Sequence, residues 1–213
     1  MKRIGITQRV EIVASYGERR DCLDQQWTTF IEKLPALPLL LPNRHSNPRR
    51  LIDGMSLDGV ILTGGNTLAE YAALGANAAP ERDTTEKALV AYCAEMEIPM
   101  IGVCRGMQLL NHYFGGKLTG TDGHTAVRHP IKLADVEDCS EFSSAQEVNS
   151  FHDLGINMEG LASGLQVLAT GPNDSVEAVK HASLPLWGVM WHPERELPFV
   201  DEDLSLFRNV LLS

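Results

Sequence analysis

The sequence has no long apolar run, little positive charge and few cysteines, and each shortage excludes a class of protein. No stretch approaches the ~20 consecutive apolar residues that a membrane-spanning helix needs. Lysine and arginine total 18 against 28 aspartate and glutamate residues, and the net charge of −10 argues against a general nucleic-acid or membrane-surface binder. The cysteines have neither the spacing of a metal site nor the density of a disulfide-rich secreted domain: Cys22, Cys93, Cys104 and Cys139.

The rest of the composition is that of an ordinary globular protein. Hydrophobic residues make up 44% and charged residues 22% of the 213 residues, so we expect one core and a single domain over residues 1–213. The chain begins directly with a strand pattern at Lys2–Thr7 and shows no apolar signal-peptide region, which favours a cytoplasmic protein with reduced thiols. No constellation of metal ligands and no phosphate-binding loop is visible, so we expect no metal and no cofactor.

One short stretch carries a strong chemical signal. The apolar run Met100–Val103 predicts a buried strand, and after Cys104 apolar residues recur at helical spacing until Gly115. Cys104 therefore lies on a sharp turn between a strand and a helix. Gly102 and Gly106 stand two residues to either side, where a Cβ atom would crowd the strand and the helix. This spacing is typical of a nucleophile elbow, with cysteine in place of serine.

A cysteine on such a turn is placed for nucleophilic catalysis. The first amides of the following helix point towards its sulfur, and the amide of Arg105 faces the position where an oxyanion would form. A lone cysteine is more often a small buried side chain, but the two flanking glycines favour a nucleophile. Gly65, after another predicted strand, is a candidate for the second oxyanion donor, although a plain turn explains Gly64 and Gly65 nearly as well.

A cysteine nucleophile needs a base, and that base needs an orienting carboxylate. His192 and Glu194 follow the predicted strand Leu186–Met190, at the edge where open α/β sheets present functional groups. Their separation of two places both on one side of an extended segment. In isolation this pattern indicates a surface turn, but beside the elbow it is the best base available. His152, next to Asp153, is equally well interpreted as a substrate-site residue or as a loop histidine.

Strands and helices alternate along the chain, which predicts a mainly parallel α/β sheet covered on both faces. The polar segment from Thr119 to Gln146 predicts short antiparallel strands attached to that sheet. Further strands are predicted at Lys2–Thr7, Leu37–Pro42, Asp58–Thr63, Leu165–Ala169, Val176–Lys180 and Leu186–Met190. Helices are predicted at Glu18–Lys33, from Asn47 to near Met55, from a capping box of Asp83 and Glu86 to Met96, and at Asp203–Leu212.

These pieces resemble, in order, class I glutamine amidotransferase domains of the γ-glutamyl hydrolase (peptidase C26) branch. The matching segments are Thr63–Asn66, Arg82 and Asp83 with Glu86, Gly102–Gln108, Val148–His152 and Trp191–Glu194. The resemblance implies a flavodoxin-like three-layer α/β/α sandwich with a small antiparallel extension. It also implies a hydrolase that acts on a small-molecule γ-glutamyl amide, without a cofactor, and it leaves a homodimer open.

The resemblance further implies a role for particular residues. Cys104 would be the nucleophile of a Cys-His-Glu triad, His192 its base and Glu194 the residue that orients the base. The amides of Gly65 and Arg105 would form the oxyanion hole. The expected substrate-binding residues are Gln108, Asn149, Ser150, Phe151, His152 and Arg82.

Within this branch the segments Gly5–Arg9 and Val148–His152 look most like those of γ-glutamyl-CDP-amidate hydrolases, which act in making phosphoramidate-decorated surface polysaccharide such as capsule. The other readings are a glutaminase subunit that feeds ammonia to a synthetase, a γ-glutamyl-GABA hydrolase of polyamine breakdown and, least favoured, a non-catalytic binding module. No nucleotide site can be matched residue by residue. The available cations are each expected on a solvated face: Arg44, Arg49, Arg50, Arg128 and His129.

Overall fold

The computed structural model describes residues 1–73, 77–134 and 147–212. The later part of the predicted antiparallel segment, residues 135–146, lies outside the described residues, as does Cys139. In the described part, no helix is long and apolar enough to cross a membrane.

Fourteen strands and five α-helices make up the described fold. The helices are α1 (Gln26–Glu32), α2 (Pro48–Met55), α3 (Pro80–Met96), α4 (Arg105–Tyr113) and α5 (Asp201–Leu212). The strands are β1 (Lys2–Ile6), β2 (Arg9–Ile12), β3 (Arg19–Cys22), β4 (Ala36–Leu40), β5 (Gly59–Leu62), β6 (Met100–Val103), β7 (Thr119–Gly120), β8 (Thr125–Pro130), β9 (Lys132–Leu133), β10 (Glu147–Phe151), β11 (Leu154–Gly155), β12 (Leu165–Thr170), β13 (Val176–His181) and β14 (Leu186–Val189).

Eight of the strands form one central sheet in the order β4-β1-β5-β6-β14-β13-β12-β9. The first five of these run parallel, and β13, β12 and β9 extend the sheet in antiparallel pairing. This confirms the predicted flavodoxin-like α/β fold with its antiparallel extension. Parallel strands present their carboxyl ends at one edge. The segments after β5, β6 and β14 therefore meet there.

Helices cover both faces of the sheet because each face is apolar. On one face α1 and α5 bury aromatic side chains, and the Phe30 and Phe207 rings meet edge to face with centroids 5.0 Å apart. On the other face α2, α3 and α4 bury Ile52, Leu89 and Met107 against the sheet. Burying a side chain of this size contributes about 1.5–3 kcal/mol. These two hydrophobic cores fix the sheet, and with it the edge where the carboxyl ends of the parallel strands meet.

Two helix starts differ from the prediction. The helix expected over Glu18–Lys33 is wrong in its first half, because Arg19–Cys22 forms a hairpin with β2 and the helix begins only at Gln26. The capping box at Asp83 is also wrong: α3 begins at Pro80, a favoured first-turn residue, and Asp83 lies inside the helix. In the first case pairing with β2 decides the local structure, and in the second case the proline in the first turn does.

Candidate active site

The turn after β6 has the strained geometry of a nucleophile elbow. Cys104 has φ 51° and ψ −105°, a conformation that a non-glycine residue rarely adopts. A Cβ atom on Gly102 would lie 2.5 Å from the Gly106 carbonyl carbon, and one on Gly106 would meet the carbonyl oxygen of Leu62. Only glycine therefore allows β6 and α4 to approach closely enough to hold the turn.

His192 lies beside Cys104, held between a carboxylate and the sulfur. Its Nδ1 is 2.8 Å from Oε1 of Glu194, and its side chain lines the same pocket as Cys104, whose sulfur raises the pKa of the ring. Because Glu194 engages Nδ1, Nε2 is the nitrogen that faces the sulfur. His192 and Glu194 are both buried, each 2% exposed. The structure thus brings the three predicted triad residues together.

Asn149 fixes the backbone of His192 from both sides. Its amide oxygen accepts from the His192 N–H at 2.9 Å, and its amide nitrogen donates to the His192 carbonyl at 2.8 Å. The neighbouring Ser150 donates to the carbonyl of His124 at 2.7 Å. Neither side chain lines the pocket over Cys104. These two side chains hold the base and strand β10 in place, and their role in substrate binding stays a prediction.

The charge state of His192 provides a testable prediction. Burial lowers its pKa, but the Cys104 sulfur and the Glu194 carboxylate outweigh burial and raise the pKa to about 9. A histidine pKa raised above 6.5 stabilises the fold fully below pH 6.5, and this contribution is lost as the pH rises through about 9. We expect the His192 ring protons, followed by NMR and assigned with a His192→Gln variant, to titrate near pH 9.

The same titration in a Cys104→Ala variant provides the control. Because the sulfur is the largest of the causes that raise this pKa, its removal should shift the midpoint downwards. A midpoint at or below 6.5 in the unaltered protein, or one that Cys104→Ala leaves in place, would contradict a charged pair between the two side chains.

The loop after β5 is held from below by a buried arginine. Arg82 is fully buried and donates to the carbonyl oxygens of Thr63 at 2.6 Å, Gly64 at 3.0 Å and Gly65 at 2.6 Å. The arginine therefore fixes the carbonyl groups of this turn. A Cβ on Gly64 would lie 2.5 Å from the His192 ring, so this loop packs directly against the base.

A buried ion-pair network connects this loop to the elbow. The Arg105 guanidinium pairs with Asp83 and Glu86, and Glu86 also accepts from Arg82 at 2.7 Å. Burial raises the pKa of Glu86, but the two guanidinium groups outweigh burial and lower it. Burial also lowers the pKa of Arg82 to about 10. Arg82 thus supports the loop through its contacts with protein groups, and its predicted role in substrate binding stays a prediction.

A pocket of ≈ 230 Å³ opens above Cys104. Three of the predicted substrate residues line it: Gln108, Phe151 and His152. Gln108 donates to the Leu154 carbonyl at 2.7 Å, which fixes its amide at the pocket wall.

Two arginines at this pocket were missed by sequence reasoning. Arg9 and Arg195 line the pocket, and the Arg195 guanidinium lies 4.5 Å from the centre of the Phe151 ring. Arg9 pairs with Glu11 at 2.5 Å. None of the cations predicted as available lines the pocket. Only their positions in the sequence could have indicated these arginines. Arg195 follows the Trp191–Glu194 segment, and Arg9 ends the Gly5–Arg9 segment.

Comparisons with known proteins identify the family to which the chain is similar. The Peptidase C26 family model matches residues 3–194. A "Gamma-glutamyl-CDP-amidate hydrolase" of Campylobacter jejuni is 34% identical over 198 residues, which are 91% of this chain and 90% of that protein. A "Gamma-glutamyl-gamma-aminobutyrate hydrolase" of Escherichia coli O157:H7 is 28% identical and covers 84% of this chain and 80% of its own.

A solved structure of a putative GMP synthase subunit from Thermoplasma acidophilum superposes with a TM-score of 0.73 at 18% identity. It covers 99% of this chain and 92% of its own, and it shows a shared fold.

Proposed function

This chain belongs to the Peptidase C26 family and is a cysteine-dependent amide hydrolase, and we propose that it cleaves γ-glutamyl amides on its own and releases glutamate. The observation that carries the proposal is the position of His192, which lies at the same pocket as Cys104 and has its Nδ1 2.8 Å from Glu194. A nucleophile, a base and an orienting carboxylate in contact form the minimum set for acyl transfer through a covalent intermediate.

The reaction proceeds in two halves. The Cys104 thiolate attacks the γ-carbonyl carbon, and the amides of Gly65 and Arg105 stabilise the oxyanion that develops. Protonated His192 gives its proton to the departing nitrogen as the C–N bond breaks, which leaves a glutamyl thioester on Cys104. Neutral His192 then takes a proton from water, the resulting hydroxide attacks the thioester carbon, and cleavage of the C–S bond releases glutamate and restores the Cys104 thiolate beside protonated His192. Glu194 holds the imidazole in orientation in both halves.

The pocket walls fit the two ends of such a substrate. Gln108 offers a polar group for the α-amino and α-carboxylate groups of the glutamyl part, His152 lines the wall beside it, and Phe151 forms a partly exposed apolar wall. Arg9 and Arg195 lie at the same pocket and suit an anionic leaving group. Arg9 has a buried Nε without a hydrogen-bond partner in the described part of the chain. A substrate phosphate would supply that acceptor.

We therefore favour a leaving group that carries phosphate, and γ-glutamyl-CDP-amidate is the specific candidate. Two guanidinium groups match a diphosphate better than the single carboxylate of γ-glutamyl-GABA. This assignment would place the protein in the cytoplasm, in the making of phosphoramidate-decorated capsule. The second candidate is a glutaminase subunit that supplies ammonia to a synthetase; the observation behind it is the fold shared with the putative GMP synthase subunit from Thermoplasma acidophilum.

The deciding experiment measures glutamate release by the purified protein from glutamine, γ-glutamyl-GABA and γ-glutamyl-CDP-amidate. We expect the highest kcat/KM for the nucleotide substrate without any added protein. Release from glutamine alone, rising when a synthetase is added, would instead establish the glutaminase subunit. Glutamate release from none of the three would overturn the stand-alone hydrolase.

Removal of the pocket arginines tests the leaving group. A hydrogen bond to a charged group contributes about 1.5–3 kcal/mol, so Arg9→Ala or Arg195→Ala should lower kcat/KM for γ-glutamyl-CDP-amidate by about 10- to 100-fold. Turnover of glutamine should change far less, because its leaving group is neutral ammonia. Arg49→Ala is the matched control, since Arg49 pairs with Glu95 on the surface away from this pocket. Equal losses for all substrates would argue against an anionic leaving group.

A further inference from the structure

A second cluster of chemistry-bearing side chains lies buried behind the substrate pocket. It consists of His124 before β8, His129 within β8, His152 after β10 and Glu177 on β13. These four side chains are between 0% and 6% exposed. The His124 ring centroid is 4.9 Å from that of His129 and 4.9 Å from that of His152. The residues are far apart in the sequence, and for this reason their spacing gave no sign of a site.

In two of the histidine rings, the hydrogen bond made by Nδ1 leaves Nε2 without a hydrogen. The Nδ1 of His129 lies 3.2 Å from the Pro130 carbonyl, and the Nδ1 of His152 lies 3.0 Å from the Leu154 carbonyl. A carbonyl only accepts, so each Nδ1 carries the hydrogen and each Nε2 of the neutral rings has a free lone pair. Neither Nε2 has a hydrogen-bond partner among residues 1–73, 77–134 and 147–212, and both are buried.

Glu177 brings further lone pairs to the same place. Its Oε1 accepts from Ser175 at 2.7 Å and lies 3.7 Å from Nδ1 of His124 and 4.0 Å from Nε2 of His129. Its Oε2 is buried and has no hydrogen-bond partner within the described ranges. Acceptor atoms buried together without a donor are costly, at about 1–3 kcal/mol for each unsatisfied group. A cation shared by these atoms removes that cost.

We propose that His124, His152 and Glu177 bind one divalent transition-metal ion of the zinc type, with His129 adjacent as a fourth ligand. One donor atom from each of the first three lies within 4.8 Å of the other two. Zinc–nitrogen and zinc–oxygen distances are about 2.0–2.2 Å, so each atom needs to move by about 1 Å or less to reach a common ion. Imidazole and carboxylate ligands without a thiolate suit zinc and its neighbours rather than copper(I).

The surroundings match what a metal site requires. The carbonyl partners of His129 and His152 are the hydrogen bonds that orient metal-bound histidines. A cavity of ≈ 280 Å³ next to His124, also lined by Asp122 and Ser175, gives the ion a route from solvent. The net charge of −10 attracts a cation to the protein.

Such an ion would connect two parts of the fold. His124 and His152 flank the β8–β10 pair, whereas Glu177 belongs to the central sheet. Strand β10 also carries Asn149, which holds the backbone of His192. The ion therefore stabilises the strand pair that positions the base and one pocket wall, and no step of the hydrolysis passes through it.

The test is Zn²⁺ binding to full-length, metal-stripped protein in a Cys104→Ala background, which excludes zinc held by the active-site thiol. We expect one Zn²⁺ per chain by calorimetry and elemental analysis, together with a raised Tm. Glu177→Gln keeps the shape of the side chain and removes the charge, and it should weaken the affinity by at least about 100-fold. Glu159→Gln, an exposed carboxylate in the same region, is the matched control and should bind as the parent does.

Two outcomes would overturn the site: no Zn²⁺ bound at tenfold excess over protein, or equal binding by Glu177→Gln and its parent. If Glu177→Gln fails to fold, X-ray absorption of the zinc-loaded Cys104→Ala protein decides the question. Scattering from at least two imidazole rings and an oxygen supports the site, and its absence overturns it. A His124→Asn variant, expected to lose the same affinity, provides an independent check.

Discussion

Replacement of Cys104 by alanine is expected to reduce glutamate release by at least about 10³-fold, because covalent catalysis loses its nucleophile and the triad acts as a unit. His192, Glu194 and the pocket stay in place, so substrate should still bind with a similar Kd. The measurement is single-turnover glutamate release beside calorimetric binding of the favoured γ-glutamyl substrate. Loss of turnover with binding retained is the signature of a missing reacting atom.

Cys93 is the matched control cysteine. It is completely buried in α3, and burial raises the pKa of its thiol to about 12, so it holds no thiolate near neutral pH. Cys93→Ala should therefore keep its activity per folded molecule, even if the cavity lowers its stability. Turnover by Cys104→Ala within tenfold of the unaltered protein would remove Cys104 from the mechanism.

The parts of the site that the sequence predicted are those specified by local spacing. The elbow was identified from the spacing of Gly102, Cys104 and Gly106, because its geometry depends on these neighbouring residues. His192 and Glu194 are two residues apart, and their contact needs only an extended backbone after a strand. The mainly parallel sheet was likewise predicted, since alternating strands and helices indicate an α/β fold.

The parts that sequence reasoning missed depend on pairings that the local residue pattern does not encode. Arg19–Cys22 looked helical because a helix pattern followed it, yet pairing with β2 makes it a strand. Asp83 looked like a helix cap because of its spacing to Glu86, yet both carboxylates are buried partners of Arg105. The loop-supporting role of Arg82 depends on carbonyl groups some 17 to 19 residues away. One sequence contains no signal for such pairings.

The second large effect is expected on stability, from Glu86→Gln. The Glu86 carboxylate is fully buried between Arg82 and Arg105 and forms ion pairs with both. Breaking a buried ion pair by removing one partner costs about 3–5 kcal/mol, because the charges left behind stay desolvated. We expect the free energy of unfolding, measured with urea near neutral pH, to fall by that amount. The loop at Gly65, which Arg82 supports, should loosen as well and lower kcat.

Glu95→Gln on the same helix is the matched control for this prediction. Glu95 pairs with Arg49, but both side chains are more than half exposed, at 56% and 53%, and water screens the pair. Its loss should leave the free energy of unfolding and kcat nearly unchanged. If the two variants proved equally stable, the buried network would be no stronger than a surface pair. Arg82 and Arg105 would then have found other partners, and the support of the loop would have to come from packing alone.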